Sequence, residues 1–175
     1  MKSEIIGSSL TLKPLTSSNV SPNYLSWLEN DNINRFLESR FNIPKNTDEI
    51  LNFIENCNSN PNIHLYGIFQ EGVHVGNIKL EKNPYHSRGD IGLIIGEQDY
   101  WGKGIASDAI KLISDWAFKN LALHKITAGA YSSNIGSIKA FKKNDFVVEA
   151  VLKEHCISSN GDRVDVVLLG KLKPL

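Results

Sequence analysis

The sequence predicts a mixed α/β (α+β) fold in three layers, a central sheet with helices on its faces. Three observations carry this expectation. Apolar runs of strand length alternate with helical patterns along the chain. The segment Asp90–Gly96 has Ile-Gly-Leu-Ile-Ile at its heart, a continuous apolar run of the kind found in a strand buried on both faces. Directly after it, Ile105–Lys119 places Ile105, Ala109, Leu112, Ile113 and Trp116 at helical spacing, with Asp108, Lys111, Asp115 and Lys119 on the other side.

The remaining elements follow in order. Ser9–Lys13 alternates Leu10 and Leu12 with polar residues and stops at Pro14, a strand. Pro22–Glu29 and Asp31–Glu38 read as short helices. Thr47–Cys57 reads as a third, with Thr47 as N-cap and Ile50, Leu51 and Ile54 as its apolar stripe. His64–Gln70 and His74–Leu80 read as strands joined at Glu71-Gly72. After the long helix come a strand at Lys125–Ala130, a helix at Ile135–Asn144, and closing strands at Phe146–His155 and Arg163–Lys171 around Asn160-Gly161-Asp162. No repeat or linker divides the chain, and 175 residues fit one domain spanning 1–175.

The 19 basic and 19 acidic side chains cancel, so the charge footprint of a dedicated nucleic-acid binder is missing. No apolar run approaches membrane-spanning length, and Met1-Lys2-Ser3-Glu4 does not open a signal peptide. Cys57 and Cys156 lie far apart and form no metal-ligand pattern, which fits reduced thiols in a cytoplasmic protein and no metal.

The chemistry sits in Tyr100-Trp101-Gly102-Lys103-Gly104-Ile105-Ala106-Ser107, between the buried strand and the strong helix. Gly102 and Gly104 let the backbone bend and approach a ligand. The loop then opens a helix whose free N–H groups attract an anion, and Lys103 can add a charge-assisted contact. A turn needed only for connectivity would also use these glycines. A Rossmann fingerprint fails, because Ala106 comes too early for the third position and Ile126-Thr127-Ala128 ends without an acidic residue. A P-loop fails because Ile105, not Lys, follows Gly104.

The loop resembles the pyrophosphate loop of the GNAT superfamily of N-acetyltransferases, Gln/Arg-x-x-Gly-x-Gly/Ala, with Trp101, Gly104 and Ala106 at the first, fourth and sixth positions. Tyr-Trp-Gly-Lys-Gly-Ile-Ala is similar to the RimJ/RimL-type branch. So are Asn134-Ile135-Gly136-Ser137 with Ala140–Phe146, Asn160-Gly161-Asp162-Arg163-Val164-Asp165-Val166, and the opening Leu10–Leu15. The resemblance covers essentially the whole chain. It implies a mostly antiparallel sheet and acetyl transfer from acetyl-CoA to a primary amine. It further implies a bulged strand whose amides at Leu93, Ile94, Ile95 and Gly96 grip the pantetheine and carbonyl. Cofactor contacts would come from Trp101, Gly102, Lys103, Gly104, Ile105, Ala106, Ser107, Asn134 and Ser137. Asn134 also reads as a helix N-cap.

For catalysis, Asp90 at the start of that strand matches the position of a direct carboxylate base, and a solvated strand end would look the same. Glu97, His86 and His155 are further candidates. Many relatives carry an acid tyrosine where this chain has Phe141, so Tyr131 or Ser137 would have to substitute. Residues 29–55 form a locally acidic lip that includes Glu38 and suits a polyamine or a protein N-terminus. Alternatively, Tyr24–Leu28 and Asn34–Phe41 resemble GNAT enzymes that acetylate nucleotide-linked amino sugars. Arg40 would then meet a phosphate and Trp27 or Tyr24 would stack on a base or sugar, with His155 also facing substrate. A non-catalytic acyl-CoA-binding regulator is the reading from another class. Relatives commonly form homodimers, an expectation without an identified patch here.

Overall fold

The computed structural model describes residues 3–174, so the reading of Met1 and Lys2 lies outside the described residues. Eight strands form one sheet: β1 (Ile5–Ile6), β2 (Thr11–Pro14), β3 (Ile63–Gln70), β4 (Val73–Asn83), β5 (Arg88–Ile95), β6 (Lys125–Tyr131), β7 (Val147–Ile157) and β8 (Arg163–Leu172). Their spatial order is β1-β2-β3-β4-β5-β6-β8-β7, and only β5 and β6 run parallel. Helices are α1 (Tyr24–Glu29), α2 (Asp31–Asn34), α3 (Thr47–Ser59), α4 (Ile105–Asn120) and α5 (Ile135–Lys142).

Strand alternation divides the apolar residues between two layers. On one side, Tyr66, Ile78, Ile91, Ile126 and Leu169 meet α4 through Ile105, Ala109, Ile110, Ile113 and Ala117, and Phe141 of α5 joins them. Each fully buried aliphatic chain there contributes about 1.5–3 kcal/mol. On the other side, Leu15, Leu65 and Ile94 meet Tyr24, Trp27 and Leu28 of α1 and Ile50 and Ile54 of α3. Among the described residues no helix is long and apolar enough to cross a membrane.

Two elements differ from the sequence expectation: α3 is capped by Asn46, whose Oδ1 accepts from Glu49 N (3.1 Å), and not by Thr47, and the second short helix ends early. The helix expected over Asp31–Glu38 stops at Asn34, whose buried side chain donates Nδ2–H to Leu28 O (2.7 Å) and ties the turn back onto α1. Leu37 is then extended, and a 3-10 turn covers Glu38–Phe41. The tight turn at Glu71-Gly72 is as expected, with φ of 49° and 82°, the left-handed pair that suits a two-residue hairpin.

The feature that positions the site is a splay. The parallel β5–β6 ladder ends at Asp90↔Thr127, while β5 continues to Ile95 along β4 and β6 continues along β8. The strands part and a wedge opens between Leu93 and Ala130. The register of β5 with β4 is unbroken from Asn83↔Arg88 to Gly76↔Ile95, and the expected bulge falls at its end, where the N–H groups of Gly96 and Glu97 both donate to Val75 O (2.9 and 3.1 Å).

Candidate active site

Two cavities meet at the wedge and share Phe36, Leu37, Leu93, Asn134 and Ser137. The larger, about 760 Å³, runs over the glycine turn and the N-termini of α4 and α5. The smaller, about 310 Å³, lies on the β6–β7 side, against Glu38, Tyr131, His155 and Cys156.

In the larger cavity, Gly102 (φ 73°) and Gly104 (φ 83°) take left-handed conformations, and a Cβ on either would meet no protein atom within 4 Å. The turn demands glycine for its backbone and leaves open space above it. Gly104 is the N-cap of α4 and offers no side chain, so the first N–H groups of a 16-residue helix go uncapped. Ile105, Ala106 and Ser107 also lie on the wall. Ser107 is held from below, its O and Oγ accepting from Asn144 Nδ2 at 2.9 and 3.1 Å. Trp101 donates its indole N–H to Ile95 O (2.9 Å), which locks the turn to the end of β5. Arg35, Lys139 and Lys143 supply cationic walls, and no carboxylate lines this cavity among the described residues. Such a surface fits a phosphorylated ligand. Lys103 does not line it; its ammonium stands 5.4 Å from the Tyr100 ring centroid.

The β5 backbone sorts by register. Gly96 donates its N–H to Val75 O (2.9 Å), so alternation turns Gly96 and Ile94 toward β4. The main-chain groups of Leu93 and Ile95 face the opening. Of the four residues expected to offer amides, these two are aimed for it. Gly96 has a different reason to be glycine: a Cβ there would lie 1.9 Å from Trp27 Cδ2.

That packing corrects the expectation for Trp27. Its ring is 3 % exposed, lies 5.6 and 5.1 Å from the rings of Tyr24 and His74, and donates Nε1–H to Glu97 Oε1 (3.1 Å). It supports the end of β5 from within the core and lines neither cavity. Glu97 also accepts from Asn23 Nδ2, which commits it to the same support. Arg40 is similarly engaged. Its Nη1 donates to Leu37 O (3.1 Å) and Tyr131 Oη (3.0 Å), and its Nη2 donates to Ile157 O. The guanidinium fastens the 36–41 segment to β6 and β7 and lines neither cavity. The expected phosphate contact loses its donor.

Asp90 lies at the fork of the splay but outside both cavities. Although the residue stays solvent-accessible, its carboxylate rests against β6, where Thr127 Oγ1 donates to Oδ1 (2.7 Å). Desolvation pushes its pKa up, opposed by that hydrogen bond and by Arg88. Tyr131 does line the smaller cavity, but its hydroxyl donates to Glu38 Oε1 (2.7 Å). Burial and this bond push its pKa up to about 12, which keeps it protonated with its proton committed to Glu38. Asn134 accepts from Ser137 N at 3.2 Å, capping α5, and both residues line both cavities. His155 lies on the smaller cavity's wall. His86 sits in a 3-10 turn before β5, away from both.

Glu38 is the one carboxylate on the smaller cavity among the described residues. The sequence showed it only as one of several lip charges, because its partners lie 93 positions away. Lys139 and Lys143, spaced i, i+4 after Asn134, were the local signal that went unread.

Residues 9–147 match the family model described as "Acetyltransferase (GNAT) domain". The chain belongs to that family. Its sequence is 37 % identical over 73 residues to a Bacillus subtilis protein named "Probable N-acetyltransferase YjcK", covering 42 % of this chain and 40 % of that one. The chain thus spans less than half the length of that relative. The RimL ribosomal L7/L12 alpha-N-protein acetyltransferase in complex with coenzyme A superposes with a TM-score of 0.86 at 17 % identity, covering 97 % of both chains. Spermidine N-acetyltransferase from Vibrio cholerae, in complex with CoA and spermine, gives 0.83 at 24 % identity, covering 95 % of this chain and 97 % of that one. Both likenesses are of fold, and they match the GNAT architecture that the glycine turn implies.

Proposed function

We propose that this GNAT chain transfers an acetyl group from acetyl-CoA to the primary amine of a cationic acceptor. The observation that carries this reading is the division of charge across the wedge. Cations and an uncapped helix line one cavity, and a lone carboxylate lines the other.

The α4 N–H groups over Gly104, with Arg35, Lys139 and Lys143, would receive the phosphates of the coenzyme. Asn134 and Ser137, at the junction of the cavities, would hold the pantetheine arm. The thioester supplies an electrophilic carbonyl and a sulfur leaving group. The main-chain N–H groups of Leu93 and Ile95 face the wedge, where donors can polarise that carbonyl. Glu38 would attract the ammonium form of the acceptor, and Glu38 and His155, both on the wall of the smaller cavity, are the candidates to take up its proton. Ser137 is the remaining candidate for proton delivery to sulfur, since the hydroxyl proton of Tyr131 is engaged in its hydrogen bond to Glu38.

The acceptor class that fits a lone carboxylate is a polyamine or a peptide N-terminus, the kinds of amine named for the spermidine and RimL enzymes of the same fold. A nucleotide-linked amino sugar fits less well, because Arg40 commits three of its N–H donors to Leu37, Tyr131 and Ile157 and lines neither cavity.

The test is thiol release from acetyl-CoA in the presence of spermidine, a serine-initial peptide or a uridine-diphosphate amino sugar. Release with either of the first two supports the reading. Release with the amino sugar alone overturns the acceptor class. Acetyl-CoA binding without release from any amine points to a regulator.

A further inference from the structure

We propose that Asp165 is a positioning residue for the acceptor wall, anchoring a bulge in β7 that presents His155 and Cys156 to the wedge; this rests on the function proposed above. The β7–β8 register shifts once at Glu149, between Val148↔Leu169 and Ala150↔Leu168, runs evenly to Leu152↔Val166, and then breaks more widely before it resumes at Cys156↔Val164. Residues 153, 154 and 155 therefore stand opposite Asp165 alone. Such a bulge re-aims side chains that a regular strand would point elsewhere. Glu154 at its centre takes φ 50°, a left-handed conformation that a non-glycine residue keeps only when its surroundings enforce it.

Asp165 provides the enforcement. Its Oδ1 accepts the Glu154 N–H (2.9 Å), and its Oδ2 accepts from Lys153 Nζ (2.8 Å). These bonds hold the carboxyl pKa below its usual range, so the anchor is charged at neutral pH. Two further contacts extend its reach. The Asp165 carbonyl accepts the Ser132 N–H (2.9 Å), at the start of the loop that leads to Asn134 and α5. Beyond the bulge, Ile157 O accepts from Arg40, which holds the Glu38 segment. One aspartate on β8 thus ties the acceptor wall through its side chain and the coenzyme loop through its main chain.

The experiment compares Asp165→Ala, Asp165→Asn and Lys153→Ala in the full chain, with spermidine and a serine-initial peptide as acceptors. Asp165→Ala lowers kcat/KM for the amine about 10-fold or more, because misplacing a site wall by an ångström has effects of that order, while KM for acetyl-CoA stays within about twofold. Asp165→Asn, which still accepts the Glu154 N–H, recovers most of the loss. Lys153→Ala stays close to the parent. A second readout needs no turnover: labelling of Cys156 by a thiol reagent, with Cys57 buried, quickens several-fold in Asp165→Ala and not in Lys153→Ala. Equal labelling rates, or equal losses in Lys153→Ala and Asp165→Ala, would overturn the anchor. A parent protein that releases no thiol with any amine yet shows the labelling difference would sink the functional reading and leave the anchor standing.

Discussion

Gly96→Ala separates the structural purpose of this glycine from the coenzyme-gripping role that the family resemblance implies. The new methyl would sit 1.9, 2.3 and 2.4 Å from Cδ2, Cε3 and Cε2 of Trp27, far inside contact distance. The indole has no room to yield, being 3 % exposed and wedged between Tyr24 and His74. Either β5 or Trp27 must move. Overpacking a rigid core costs about 1–3 kcal/mol, and displacing the indole from Glu97 forfeits a hydrogen bond to a charged group, about 1.5–3 kcal/mol more. Together they give roughly 3–5 kcal/mol, and at about 2–4 °C per kcal/mol for a chain of this size, a fall in Tm of roughly 6–20 °C. Thermal unfolding followed by circular dichroism reads this directly. Adding Trp27→Leu, which vacates the clash, should give a double variant less destabilised than the sum of the two singles. At a temperature where the variant is folded, acetyl-CoA affinity should stay within about threefold of the parent, because the Gly96 N–H serves Val75. A Tm within 2 °C of the parent, or strict additivity with Trp27→Leu, would refute the packing argument.

Gly104→Ala should show the opposite balance. No protein atom opposes its Cβ, so stability falls only by the left-handed cost of about 1–2 kcal/mol, while acetyl-CoA affinity by calorimetry drops tenfold or more. Asp90→Asn tests a base against a solvent-accessible strand end. Because the folded carboxyl holds its proton above its usual pKa, the folded chain binds more protons in that window and the parent loses stability as pH rises through it. Urea midpoints across pH 3–7 should lose this decline in the variant, and turnover should stay within about threefold of the parent across pH; a loss of a hundredfold would restore Asp90 as base. Tyr131→Phe should cost about 1–3 kcal/mol of stability by stripping Glu38 and Arg40 of a partner, with kcat largely retained. A collapse of kcat in a folded variant would make Tyr131 the acid after all.

Where a segment's own residues decide its conformation, the sequence was readable. The glycine turn needs left-handed φ at two fixed positions, and α4 carries its burial pattern over four turns, so both could be located without partners. The helix at Asp31–Glu38 failed because a single side chain, Asn34, redirects the chain onto α1. The site residues divide the same way. Asn134 caps the helix it begins, a contact three residues long. Trp27 meets Glu97 across 70 positions, Arg40 meets Tyr131 across 91, and Thr127 meets Asp90 across 37. An aromatic or a cation in a helix looks the same whether it faces a ligand or a distant strand, and only the folded sheet decides which.

Glu38 is where that decision has the largest functional consequence, and Glu38→Gln isolates it. The amide keeps the side chain's length and an oxygen to accept from Tyr131, so the link to β6 survives and only the charge goes. A carboxylate that binds an ammonium directly is worth about 1.5–3 kcal/mol, or roughly 10–100-fold in KM for the amine. Spermidine, with several positive charges, should lose the most, and a serine-initial peptide with acidic residues near its end the least. KM for acetyl-CoA should not follow, since Arg35, Lys139 and Lys143, the cations proposed to receive its phosphates, line the other cavity. Raising the salt concentration should weaken spermidine binding in the parent and do so less in the variant, because the screened attraction is the one already removed. If spermidine KM and its salt dependence are the same in both proteins, Glu38 does not read the acceptor's charge. The carboxylate would then serve only to hold Tyr131, and the acceptor would be an amine selected by shape.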